Sequence, residues 1–256
     1  MTISAQTQPD AHGLVKGILG LVYAWSGVGI MWCFWLSFAV FLSSPSKLAS
    51  YWPLPFVDRG GAIDDPLAAA LIDILLIALF GLQHSLMARP WFKQWWAASI
   101  PPAFERCTYV HMANIALFAM IICWQPIPVE VWTMPQGLAP DLVWAVFALG
   151  WIVLFLGAGS FGLLDLLGVE QMHRWSNGEP PRKPRLKTGL LYRFLRHPMY
   201  VGVLLAVWAT PRMTVGHALL ALGMTGYVLI AMRYEERDLV SRFGASYNRW
   251  RAQALQ

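Results

Sequence analysis

Six stretches of the chain are almost wholly apolar: Leu19 to Leu42, Pro66 to Met87, Thr108 to Trp124, Leu142 to Leu164, Tyr200 to Ala209 and Val215 to Ala231. Leu19 to Leu42 holds no charged residue, and about 20 apolar residues suffice to cross a bilayer as a helix. The fifth run is too short to span alone. "TPRMTVG" follows it, with Pro211 and Gly216 as a turn signal. The last two runs therefore read as a helix-turn-helix hairpin whose first leg need not cross fully. The pattern predicts an all-α integral membrane protein with five to six transmembrane helices, six preferred. A C-terminal helix-turn-helix hairpin and a cytoplasmic C-terminal helix complete it.

Composition agrees. The 256 residues are 57% hydrophobic and only 13% charged, about half the charged fraction of an average soluble domain, roughly 25%. The Lys and Arg residues then set orientation. In a six-segment arrangement 16 of the 19 fall on one side and 3 on the other. Cytoplasmic loops collect the excess, so both termini are expected in the cytoplasm of an inner (cytoplasmic) membrane. The net charge of +5 then reflects topology, and no nucleic-acid partner is expected. The first 18 residues lack a charged n-region and a cleavage site, so the first helix is expected to be retained. Cys33, Cys107 and Cys123 have no metal-ligand spacing; they read as packing residues, and no metal is expected.

Ionisable side chains inside spans are costly and mark candidate chemistry. Asp73 and His84 stand eleven residues apart in the second run, about three helical turns and hence on one face. Asp73 lies in the outer half, where a structural hydrogen bond is expected. His84 lies near the cytoplasmic end. Asp165 follows the fourth run, and Glu105, Arg106 and Tyr109 open the third, all at that same depth. Ahead of Asp165, "GAGSFG" offers small residues for close helix approach or for a ligand.

The stretch "YRFLRHPMYVG" is the densest polar cluster at a membrane boundary. Proline suits the first turn of a helix and pushes its predecessor out of helical geometry. His197 is thus expected just outside a helix that begins at Pro198. The free amides of that first turn, with Arg196, suit an anion; Tyr192 and Tyr200 add rings and hydroxyls. After the hairpin, "RYEERDLVSRFGASYNRW" places Glu235, Glu236 and Asp238 at the start of an amphipathic helix. Carboxylates there suit ribose hydroxyls or an ammonium group. A zwitterionic nucleoside fits the two clusters together.

The order "TGLLYRFLRHPMYVG", apolar hairpin, "EERDLVSRFGASYNRW" resembles the C-terminal module of isoprenylcysteine carboxyl methyltransferases. Upstream, "FGLQHSLMARPWFKQWW", "PPAFERCTYV", "WQPIP", "DLLGVEQ" and "WATPRMTVGHALLALGMTGYVLI" are similar to the methanethiol S-methyltransferase family, which shares its N-terminal half with NnrU-like membrane proteins. The resemblance runs from about Leu19 to the C-terminus. It implies S-adenosyl-L-methionine as methyl donor and conversion of methanethiol to dimethyl sulfide at the cytoplasmic face. It also implies one domain over 1–256, with a substrate-side bundle at 19–164 and a cofactor-binding module at 165–256.

Carried over by motif, cofactor contacts fall on Gln171, on Arg185, Leu186 and Lys187, and on Tyr192, His197, Pro198, Met199, Tyr200 and Glu235; Arg196 joins them from the anion argument. Where prenyl-cysteine enzymes carry an arginine four residues before the first glutamate, this chain has Ala231, which argues against a prenyl-cysteine acceptor. A thiol needs a base, because a cysteine-like thiol has a pKa of about 8.5. His84 is the expected base, with Asp165 orienting it or taking the proton; Arg106 and Tyr109 are expected to shape the substrate pocket. The alternatives are another acceptor (a larger thiol, isoprenylcysteine or a lipid amine) and a non-catalytic NnrU-like protein. The expected partners are a small thiol and the lipid bilayer.

Overall fold

The structure, a computed structural model, describes residues 11–44, 51, 54–183, 185–186 and 189–253. Among the described residues the secondary structure is helical apart from one two-stranded sheet. The elements are α1 (Ala11–Ser43), α2 (Pro66–Met87), α3 (Pro90–Trp96), α4 (Pro102–Cys123), β1 (Glu130–Thr133), α5 (Leu138–Phe161), α6 (Leu163–Leu166) and α7 (Val169–Ser176). A 3₁₀ turn at Leu190–Arg193 leads to α8 (Pro198–Trp208), β2 (Arg212–Thr214), α9 (Val215–Phe243) and α10 (Ala245–Gln253).

Among the described residues five helices, α1, α2, α4, α5 and α9, are long and apolar enough to span a membrane, while α8 is a shorter apolar helix. The protein is therefore an integral membrane protein of the expected all-α class. Proline starts four of the helices: α2, α3, α4 and α8 all carry it in the first turn. There its missing N–H is no loss and its fixed φ is already helical. Asp65 caps α2 by accepting from the Leu67 amide at 3.0 Å, and Thr214 caps α9 by accepting from the His217 amide at 3.2 Å.

The hairpin of α8 and α9 forms, and the structure adds what its pattern did not contain. The turn between the legs is pinned to the α4–α5 connection: β1 and β2 pair antiparallel, Val215 N donates to Val129 O at 2.8 Å, and Gly216 N to Ile127 O at 3.1 Å. An extended Ala209–Thr214 segment thus carries the short leg to the same end of the bundle as that loop. Three residues of β-structure cannot be read from an apolar run, since their partners lie 79 to 84 positions away in the chain.

Two contact seams position the site. α5 and α8 cross very closely: a Cβ on Gly202 would lie 2.5 Å from Leu154 N and 2.7 Å from Gly150 O, and one on Gly157 would meet Met199 N at 3.1 Å. Small residues permit such backbone approach where lipid supplies no hydrophobic drive. Because Pro198 and Met199 face Gly157, α8 starts about one turn short of the end of α5 at Phe161, so its N-terminus is set into the bundle. The second seam joins α1, α4 and α7 through Ala24, Val28, Cys107, Val110 and Met172. At the opposite end Phe34, Phe38, Phe41, Met120 and Trp124 form the main core. Asp73 is fully buried there and accepts from the Gln125 amide at 2.9 Å, the structural bond expected of it.

Candidate active site

A cavity of about 800 Å³ opens where the loops after α3, α5 and α7 meet the ends of α4 and α9. Two glycines aim its first wall. Gly162 (φ 83°) and Gly168 (φ 88°) bracket α6 in backbone regions that side-chain-bearing residues rarely adopt. A Cβ on Gly168 would also strike Cys107 Sγ at 2.7 Å. Between them Asp165 faces the cavity and is held by Gln171, whose Nε2 donates to Asp165 Oδ1 at 2.8 Å and to its carbonyl at 3.2 Å. Gln171 Oε1 is buried without a partner. Across from it, Arg106 Nε donates to Leu166 O at 2.7 Å, satisfying a carbonyl at the end of α6.

The opposite wall comes from the C-terminal half. Tyr192 is nearly buried and packs edge-on against Phe161, with ring centroids 4.8 Å apart. Burial, reinforced by the Glu235 carboxylate, pushes its hydroxyl above the usual phenol range, so it remains a neutral donor. Arg185, Leu186, Arg196 and Glu235 line the same space. Arg182 reaches Glu170 at 2.6 Å and Arg174 reaches Glu179 at 3.1 Å, which folds the segment after α7 over the opening. Lys187, expected beside Leu186, lies outside the described residues.

His197 caps α8 with Pro198 as the first helical residue, as the sequence predicts. Its Nε2 hydrogen-bonds Glu236 Oε1 at 2.8 Å, its Nδ1 lies 3.8 Å from Glu235 Oε2, and Tyr200 stacks on its ring at 5.7 Å. His197, Tyr200 and Glu235 are thus one cluster, of which only Glu235 lines the cavity. Pro198 and Met199 sit one layer behind, at the Gly157 crossing.

The hub of the cluster is Glu236, whose carboxylate, expected with Glu235 and Asp238 to suit ribose hydroxyls or an ammonium group, is instead taken up by protein donors. It accepts from Tyr247 Oη at 2.7 Å, from His197, and from Arg251 at 3.4 Å. The expected single C-terminal helix breaks at Gly244 (φ 50°), and α10 folds back so that Tyr247, fully buried, lines the cavity. Burial and the Glu236 contact raise the Tyr247 hydroxyl above the ordinary phenol value. The glycine in "RFGASYNRW" was the available signal for that break.

His84 and Tyr109 lie behind Arg106. The Arg106 guanidinium sits 5.3 Å from the Tyr109 ring centre, the Tyr109 and His84 rings are 4.8 Å apart, and Tyr109 Oη donates to His84 O at 3.3 Å. His84 Nδ1 is buried without a partner. The expected His84–Asp165 couple is not formed: Gln171 holds the Asp165 side chain, while aromatic rings surround His84. Asp165 sits on α6 and His84 on α2, and Arg106 and Tyr109 of α4 adjoin them in turn.

Comparison with known proteins matches residues 147–246 to the Phospholipid methyltransferase family. That stretch includes Asp165, Gln171, Tyr192, His197 and Glu235 but none of α1 to α4. The chain is 44% identical over 183 residues to Methanethiol S-methyltransferase 2 of Bradyrhizobium diazoefficiens, covering 72% of this chain and 70% of that one. It is 39% identical to Methanethiol S-methyltransferase of Mycobacterium tuberculosis, covering 72% and 75%. With Methanethiol S-methyltransferase of Pseudomonas deceptionensis it shares 42% identity, covering 76% and 74%. No solved structure matches the chain.

Proposed function

Because this chain belongs to the methanethiol S-methyltransferase family, we propose that it moves a methyl group from S-adenosylmethionine to methanethiol, releasing dimethyl sulfide. The observation that carries the reading is the cavity in which Glu235, Arg196 and Tyr192 meet Asp165, Gln171 and Arg106. Its donors and acceptors fit a zwitterionic nucleoside. Arg185 and Arg196 suit a carboxylate, Asp165 and the unpartnered Gln171 Oε1 suit an ammonium, and Glu235 suits ribose hydroxyls. Tyr192, Phe161, Trp250 and Tyr247 supply flat apolar surface. Eight cationic residues, Lys93, Arg106, Arg174, Arg182, Lys183, Arg185, Arg196 and Arg242, line this end. The positive-inside bias therefore favours a cytoplasmic cavity and cytoplasmic termini. In this reading 165–256 supplies most of the cofactor contacts and 19–164 most of the acceptor wall.

S-adenosylmethionine, when bound, supplies a methyl group on a positively charged sulfur. The chain contributes a dry, ordered place for the displacement. Phe161, Leu166, Leu239 and Phe243 exclude water, which favours a step in which opposite charges cancel. His84 Nδ1 accepts the proton that the acceptor thiol sheds, so that a thiolate is presented to the methyl group that the cofactor would supply. His84 is thereby the general base, worth about 10²- to 10⁴-fold. Arg106 and Tyr109 wall the acceptor. His197, Pro198, Met199 and Tyr200 hold the α8 terminus on which Arg196 and Glu235 are registered.

The test is purified protein in detergent, given labelled cofactor with methanethiol and with a lipid amine, and the products identified. Dimethyl sulfide is expected. His84→Ala is expected to lower turnover at least a hundredfold with cofactor affinity retained. Methylation of the lipid amine alone overturns the acceptor, and full turnover by His84→Ala at neutral pH overturns the base.

A further inference from the structure

Behind Arg106, which lines the cavity, four rings from three helices pack together. Phe80 and His84 stand on α2, Tyr109 on α4 and Tyr227 on α9. Centroid separations are 4.8 Å for His84–Tyr109, 5.3 Å for Phe80–His84, 5.2 Å for Phe80–Tyr227 and 6.2 Å for His84–Tyr227. Tyr227 is seated directly on the α2 backbone, since a Cβ on Gly81 would come within 3.2 Å of its Cδ2. Along α9, Glu235, Ala231 and Tyr227 are four residues apart. They therefore share a face, with a step of about 6 Å between neighbours. Glu235 lines the cavity, Ala231 offers only a methyl group, and Tyr227 fills the next step with a ring.

We infer that Tyr227 is the end stop of the acceptor pocket and confines the reaction to thiols of one or two carbons. The inference rests on the thiol-methylation reading and adds the residue that sets its substrate size. The stop is rigid for a physical reason. One face of the ring meets Phe80 and another meets backbone at Gly81, so neither neighbour is a long side chain that can swing aside. The Tyr109 hydroxyl is taken up by the His84 carbonyl, and His84 Nδ1 is buried without a partner, a polar atom left to meet the one polar bond such a substrate has, its S–H. A longer alkyl chain at that depth collides with the Tyr227 ring. A hydrophobic pocket discriminates by about 10- to 200-fold for each methylene it cannot accommodate.

The experiment compares kcat/KM for methanethiol and 1-butanethiol, with cofactor affinity measured separately by calorimetry. The wild-type protein is expected to favour methanethiol. Tyr227→Ala is expected to move the ratio at least tenfold toward 1-butanethiol with cofactor affinity within twofold, and Tyr227→Leu, a gentler truncation, to move it the same way by less. Tyr227→Phe, which keeps the ring, is expected to keep the size limit. If wild type methylates methanethiol and neither truncation changes the ratio by more than threefold, the end stop is wrong. If wild type methylates no thiol, the parent reading itself falls, a result visible before any variant is made.

Discussion

Replacing Glu236 by alanine tests how the C-terminal helix is locked to the cofactor cavity. The carboxylate accepts from Tyr247 at 2.7 Å and from His197 at 2.8 Å, and its own side chain is only 22% exposed. Tyr247 is fully buried, so losing its acceptor leaves a dry hydroxyl unsatisfied, at about 1–3 kcal/mol. His197 loses a charge-assisted bond of about the same worth, softened by Glu235 at 3.8 Å. Arg251, half exposed at 3.4 Å, adds about 0–1 kcal/mol. The Tyr247 and His197 bonds therefore dominate, and about 3 kcal/mol is expected in all. If that energy is what docks α10, the binding-competent fraction falls and cofactor affinity drops about a hundredfold. Calorimetric titration of S-adenosylmethionine reads the affinity, and limited proteolysis after Gly244 reads the undocking. Tyr247→Phe, which leaves Glu236 bonded to His197, is expected to cost about 1 kcal/mol, and the two changes are expected to be non-additive. An alanine variant with cofactor affinity within twofold and an unchanged proteolysis pattern would refute the latch.

Three further outcomes follow from the geometry. Gly202→Leu drives a Cβ into backbone atoms of α5 that have no rotamer to yield, so a loss of at least about 1–3 kcal/mol is expected in thermal unfolding in detergent. Asp73→Leu removes the acceptor of the Gln125 amide at the far end of the bundle; stability falls by about 1–3 kcal/mol, while methanethiol kcat/KM at permissive temperature stays near wild type. The Tyr247 phenol is raised on folding, so its contribution is full below the unfolded value of about 10 and is lost as pH rises above it. Unfolding temperatures from pH 8 to 11 are expected to fall more steeply above pH 10 for wild type than for Tyr247→Phe, and parallel curves would contradict the assignment.

Much of this protein is local in origin and therefore readable along the chain. Apolar runs of span length, prolines that open α2, α4 and α8, and the turn signal after Thr210 act through nearest neighbours and hydration alone. The site's two halves were legible for the same reason: "RHPMY" and "EERDL" each carry their polarity in a few consecutive residues. Which side chains meet is a different kind of fact. Helix azimuth and depth decide it, and these are set at the Gly150, Gly157 and Gly202 crossing, where α8 settles against α5 one turn below its end. That crossing fixes His197 beside both Glu235 and Glu236. Two glycines of left-handed φ turn Asp165 toward Gln171 instead of His84, and a third at Gly244 sends Tyr247 back to Glu236. The sequence by itself determined the spans, the hairpin and the residues with chemistry to offer, because those depend on transfer free energy and backbone preference. Only the tertiary structure decided the pairings and the strand closing the hairpin, because contacts between distant helices depend on packing that no local pattern records.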